Sequence, residues 1–152
     1  PSTRNIDGIV EMMLNATQRY ETPLTEERLF GWCAALFPTG YSGVYKIDVA
    51  CYRKGDMQIV SGEMGKEKVH YKAVEVSKIK QEMDSFLKWF INPGNNQLDS
   101  VLKAAIAHLW LVTIHPFDDG NGRIARTISD MLLARSDESK QRFYSMSAQN
   151  VK

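Results

Sequence analysis

Cysteine is scarce in this chain of 152 residues: only Cys33 and Cys51 occur, and they form no CxxC pair. That excludes a disulfide-stapled scaffold and points to a reducing compartment. An excess of charge of one sign is also missing. Nineteen Lys and Arg nearly cancel eighteen Asp and Glu, for a net charge of +1. The electrostatic footprint of a protein that binds nucleic acid or an anionic membrane is therefore absent, and neither partner is expected. No apolar run is long enough to cross a bilayer. The most apolar stretch, Ala104 to Ile114, carries His108 and Thr113 and falls far short of the roughly 20 residues needed. The first residues show no pattern of a secretory leader, but the sequence starts on Pro1 rather than Met, so targeting is not read from it. A cytoplasmic location is expected, with a secreted effector left open.

What is present is the balance of an ordinary globule, 43% hydrophobic and 24% charged residues. The length fits one domain over residues 1–152. Ile6, Ile9, Val10, Met13 and Leu14 recur at helical spacing and predict an amphipathic helix from Asn5 to Tyr20. After Pro23, Thr25 is the expected N-cap of a second helix, with Leu24 and Leu29 in the two staple positions; this helix ends near Phe37-Pro38. Met57 to Val60 and Val69 to Tyr71 read as two short strands of a β-hairpin around the polar loop Ser61 to Lys68. Ile79, Met83, Phe86, Leu87 and Phe90 mark a third helix, stopped by Asn92-Pro93-Gly94. Asp99 can cap a fourth, Ser100 to Ile114, which is apolar on nearly every side and so expected to be central and buried. A fifth runs from about Arg123 to Ala134. The class is mainly α with one small hairpin.

The loop between the last two helices, His115 to Gly122, has the physics of a phosphate site. Gly120 and Gly122 let the backbone come close to a ligand. The helix that follows offers unpaired N–H groups and a partial positive charge. Asn121 adds a side-chain donor at the mouth. Arg123 and Arg126 share one face of that first turn, where cations oppose the helix dipole at about 0.3–1 kcal/mol each, so a compensating anion is expected. Asp119 supplies a hard oxygen suited to Mg²⁺, which needs only one or two carboxylates when phosphate oxygens and waters complete its shell. Asp118 is the alternative ligand, expected to be a solvated loop residue. His115 can take a proton from a hydroxyl nucleophile; the alternative is a histidine that merely caps the preceding helix. Phe117 is the expected anchor of the loop.

The string HPFDDGNGRIAR resembles the Fic-domain signature HxFx(D/E)GNGRxxR at every fixed position. LTEERLFGWCAALFPTG, MQIVSGEMGKEKVHYKA, AIAHLWLVTIHPF and RFYSMSAQ extend the likeness to Fic proteins with an extra N-terminal helical region. The resemblance implies a Fic-like helical bundle with a short β-hairpin flap and a central helix–loop–helix active site. It implies a protein adenylyltransferase that moves AMP from Mg-ATP to a Ser, Thr or Tyr hydroxyl of a target protein. By position, His115 is the implied general base and Asp119 the Mg²⁺ ligand. Asn121 and the backbone of Gly120 and Gly122 hold the α-phosphate, and Arg123 and Arg126 face the outer phosphates. The hairpin is similar to the family's flap, which pairs with a target peptide by adding a strand; Ser61, Gly62, Glu63 and Met64 lie at its turn.

Two departures qualify the likeness. The self-inhibitory pattern [ST]xxx[EN][GN] is absent. The nearest segment, Thr3 to Gly8, has Asp7 in place of Glu. An inhibitory helix is expected upstream of Pro1, and an inhibitory segment or antitoxin partner is implied with it. At the other end Ser147 reads as an N-cap, yet the sequence stops at Lys152, before the family's Tyr-Tyr step near the nucleotide base. The chain is thus expected to be part of a longer one. Two alternatives stay open: a related transfer (phosphotransfer, or removal of AMP) and a non-catalytic nucleotide-binding module. GNGR rather than a lysine-bearing loop argues for AMP transfer.

Overall fold

The computed structural model describes residues 2–61, 68–92, 94 and 98–137, and side chains from residue 6 onward except at 58–70. Its helices are α1 (Ser2–Gln18), α2 (Glu26–Leu36), α3 (Val76–Ile91), α4 (Ser100–Ile114) and α5 (Asn121–Ser136). Its strands are β1 (Tyr41–Ser42), β2 (Tyr45–Lys46), β3 (Gln58–Ser61) and β4 (Lys68–Lys72). The class is mainly α, as the sequence predicts, with the expected hairpin formed by β3 and β4. They pair antiparallel, Gln58 opposite Lys72 and Ser61 opposite Lys68, with a register shift between Ile59 and Val60.

Both expected caps form. The Thr25 side chain accepts from Arg28 N, and Asp99 accepts from Val101 N and Leu102 N. Each satisfies donors that a helix start leaves open. Helices α4 and α5 make a central hairpin, tied by Ser129 Oγ donating to Ala104 O at 3.0 Å. Helix α3 packs on α4, while α1 and α2 pack on α5 and on each other. Phe86, Phe90, Leu111, Ile114, Phe117 and Ile124 fill the core between them.

Three expectations change. The stripe Ile6, Ile9, Val10, Met13, Leu14 is not the buried face of α1: Ile6 and Val10 are exposed, while Gly8, Met12 and Ala16 are buried. The reason is close approach. A Cβ on Gly8 would stand 1.9 Å from Ala35 O of α2, so the face that carries Gly8, Met12 and Ala16 packs inward and Ile6 and Val10 turn outward. Helix α4 is not buried on every side either. Ala104, Ala107, Leu111 and Ile114 face the core, but Val101, Leu102 and Leu109 are exposed; composition alone hid this face because both sides are apolar. Finally, there are two hairpins where one was expected: the segment after α2 contains a second small one, β1 with β2, pairing Tyr41 with Lys46 and Ser42 with Tyr45. Strands of two residues carry no periodicity to read.

Candidate active site

Helix α4 ends on His115, whose φ of 54° and ψ of 59° are left-handed, and whose N–H donates to Leu111 O at 2.9 Å. A non-glycine residue holds this conformation only where its surroundings impose it. They do. Arg53, brought from the segment between the two hairpins, donates through Nε to His115 O at 2.6 Å and through its own N–H to Pro116 O at 2.8 Å. Phe117 is fully buried and packs against Phe30 and Tyr52, with ring centroids 6.2 and 5.8 Å away.

Asn121 closes the loop. Its side chain accepts from Phe117 N at 2.9 Å and donates to Phe117 O at 2.8 Å, and it is buried. The donor expected at the mouth is spent within the loop instead. Asp118 also differs from the expected solvated residue: it is half-buried and accepts from Asp48 N at 2.7 Å. Asp119 accepts from Gly120 N at 2.7 Å and from the Ser42 hydroxyl of β1. Each carboxylate oxygen keeps a further lone pair, and no described ion pair engages this carboxylate. Among the described residues no cluster of three or more His, Cys, Asp or Glu could hold a metal. The donor set therefore fits only a cation such as Mg²⁺, which takes one carboxylate and draws its other ligands from phosphate and water.

Gly120 is the N-cap of α5 with φ of 84°, and no side chain caps that end. A Cβ there would meet Phe37 Cε2 at 3.0 Å and Leu36 Cδ1 at 3.1 Å, so glycine is required twice over. Gly122 is different. It is exposed, and nothing lies within 4 Å of a Cβ built on it. The protein's own packing does not demand glycine there, whereas a ligand approaching the open N–H groups would. Arg123 and Arg126 are exposed and take part in none of the described ion pairs; the Arg123 guanidinium lies 5.2 Å from the centre of the Phe37 ring.

The His115 ring is half-buried, and its Nδ1 faces Val112 O at 3.4 Å. A donor at Nδ1 leaves Nε2 with the free lone pair, the form a general base needs. Burial pushes the imidazole below its usual value and the Arg53 charge adds to this, against the opposing pull of Val112 O and Asp119. The net shift favours the neutral ring.

Of the turn residues of the larger hairpin, Ser61 lies in β3 opposite Lys68, and Gly62, Glu63 and Met64 fall outside the described residues. So does Ser147. The base of the hairpin reaches the site, because the Tyr71 hydroxyl donates to Thr113 O at 2.5 Å, two residues before His115. Sequence reasoning missed Arg53, Ser42 and Asp48. Nothing local marks any of the three.

Residues 23–133 match the model of the Fic/DOC family. A protein adenylyltransferase fic-1 of Caenorhabditis elegans is 36% identical over 58 residues, 38% of this chain and 11% of that protein. A protein adenylyltransferase Fic of Drosophila grimshawi is 46% identical over 54 residues, 36% of this chain and 11% of that protein. The crystal structure of a Fic domain containing signaling protein from Bacteroides thetaiotaomicron superposes with a TM-score of 0.66 at 27% identity, over 85% of this chain and 45% of that one. The match thus spans about a ninth of these curated relatives. No helix among the described residues is long and apolar enough to cross a membrane.

Proposed function

The chain belongs to the Fic/DOC family, and on that premise we propose that it transfers AMP from ATP to a hydroxyl side chain of a target protein. The observation that carries this reading is one short loop that joins a histidine held in a left-handed turn to an uncapped helix start with two cations beside it. The names of the relatives, protein adenylyltransferases, supply the transferred group and the kind of acceptor.

In this reading the N–H groups of Asn121 and Gly122 hold the α-phosphate at the positive end of α5. Arg123 and Arg126 take the outer phosphates. His115 Nε2 accepts the proton of the Ser, Thr or Tyr hydroxyl as its oxygen bonds to Pα; the bond from Pα to the bridging oxygen breaks, and pyrophosphate leaves with that electron pair. Asp119 would hold Mg²⁺, which neutralises charge on the leaving phosphates when bound. Ser42 and Gly120 N already orient that carboxylate. The loop is fixed before substrate arrives, so positioning supplies much of the rate. The β3–β4 hairpin, tied to α4 through Tyr71, is the proposed docking edge for the target segment.

The test is incubation of the protein with a cell lysate and ATP labelled at either the α- or the γ-phosphate. Label should enter protein from the α position only and vanish with His115→Ala. Label from the γ position alone would mean phosphotransfer. ATP binding without any transfer would leave a nucleotide-binding module.

A further inference from the structure

Arg53 is among the largest side chains with almost no exposure, 2%, yet it takes part in none of the described ion pairs. Its partners are carbonyls. Nε donates to His115 O at 2.6 Å, Nη2 to Ile114 O at 3.3 Å and to Val74 O, and Nη1 to Gly55 O at 2.9 Å, while the backbone N–H donates to Pro116 O at 2.8 Å. One residue thus binds three consecutive carbonyls, those of residues 114 to 116, at the point where α4 ends and the loop begins. Helix ends leave these oxygens without partners, and a rigid planar fork is the group best shaped to gather several of them. The other two carbonyls flank the β3–β4 hairpin, so the same guanidinium joins the hairpin to the loop.

We propose that Arg53 is a positioning residue for His115, holding the left-handed turn that presents the imidazole and coupling it to the base of the hairpin. The cost of that turn in a non-glycine residue, about 1–3 kcal/mol, has to be offset by contacts, and Arg53 supplies the ones on the carbonyl side. The Arg53 charge faces the imidazole and disfavours its protonated form; Asp119 and Val112 O favour it. Asp56 and Asp118 are the carboxylates that face Arg53 in turn. Arg53 therefore acts on His115 twice, through geometry and through charge.

The proposal rests on His115 as the base, and its test separates the two claims. Arg53→Met removes fork and charge; Arg53→Lys keeps the charge and cannot span the carbonyls. AMP transfer is measured against pH with ATP varied, and the His115 imidazole is titrated by NMR in each protein. In Arg53→Met, kcat should fall about 100-fold while KM for ATP changes less than about threefold, and the imidazole should titrate at higher pH than in the wild type. In Arg53→Lys, kcat should fall about tenfold with the titration near that of the wild type. Wild-type kcat in either variant, or a loss confined to KM, overturns the proposal. If Arg53→Met does not fold, the Arg53→Lys result decides alone. If the wild type transfers no AMP, the reading of His115 fails, and an unmoved imidazole titration in Arg53→Met would still count separately against Arg53.

Discussion

The two ends of the α4–α5 hairpin follow opposite rules. At the far end α4 starts on an Asp99 cap, and α5 closes with Arg135 in its last turn, donating to Tyr20 O and lying over Phe90. Acid at a helix start and cation at a helix end are what the dipole favours. At the loop end α4 stops on a left-handed histidine, and α5 starts on a left-handed glycine with no side-chain cap and two arginines near its positive end. Both ends belong to the same pair of helices, so the difference is not one of packing. Local rules are broken together where the proposed ligand would be met, and the breaks persist because Arg53, Asn121 and Asp118 hold the backbone from three sides.

The comparison can be broken from either end. The largest effect is expected from His115→Ala: AMP transfer should drop at least about 100-fold, with thermal unfolding almost unmoved. In the wild type, since burial lowers the imidazole below its usual 6.5, activity should be level through pH 7 and fall only as pH drops below about 6.5. The sign for stability is the same. The unfolded chain binds a proton there first, so the protein loses stability as pH falls from 6.5 toward the folded value. Next comes Gly120→Ala, where the positive φ and the contacts with Leu36 and Phe37 should cost about 1–3 kcal/mol, read as a lowered denaturant midpoint. Asp99→Ala should cost about 1 kcal/mol of stability and leave transfer per folded molecule unchanged. The smallest effect sharpens the contrast most. Arg126→Ala should leave the stability of the free protein almost unchanged, because residue 126 lies in the second turn of α5, beyond the reach of the helix dipole, while ATP binding weakens. On the proposed reading, a cap that stabilises without serving the ligand lies at one end and a cation that serves the ligand without stabilising lies at the other.

Much of this was legible in the sequence where the signal is local. Thr25 and Asp99 are capping residue types in capping positions, and the hairpin strands alternate with a polar turn. The loop from His115 to Arg126 carries its glycines, acid and cations within twelve consecutive residues. What escaped depends on distant partners. Arg53 reads as an ordinary surface cation beside Lys54, and its importance comes from carbonyls some sixty residues later. The buried face of α1 escapes the pattern because Gly8, which has no side chain to mark it, makes the close approach to α2. Asn121 has the chemistry of a ligand donor, and only the fold shows its amide spent on Phe117.

If the loop end is shaped for a phosphate ligand rather than for stability, thermal unfolding with and without Mg-ATP will show it. At ATP about 100-fold above its Kd, binding adds about 2.7 kcal/mol of stability. The wild type and Asp99→Ala should show the same upward shift in Tm. Gly122→Ala, whose methyl enters the open space above the α5 start, should fold as well as the wild type and show little of that shift. An equal shift in all three proteins, or none in the wild type, would mean that the start of α5 is not a phosphate site.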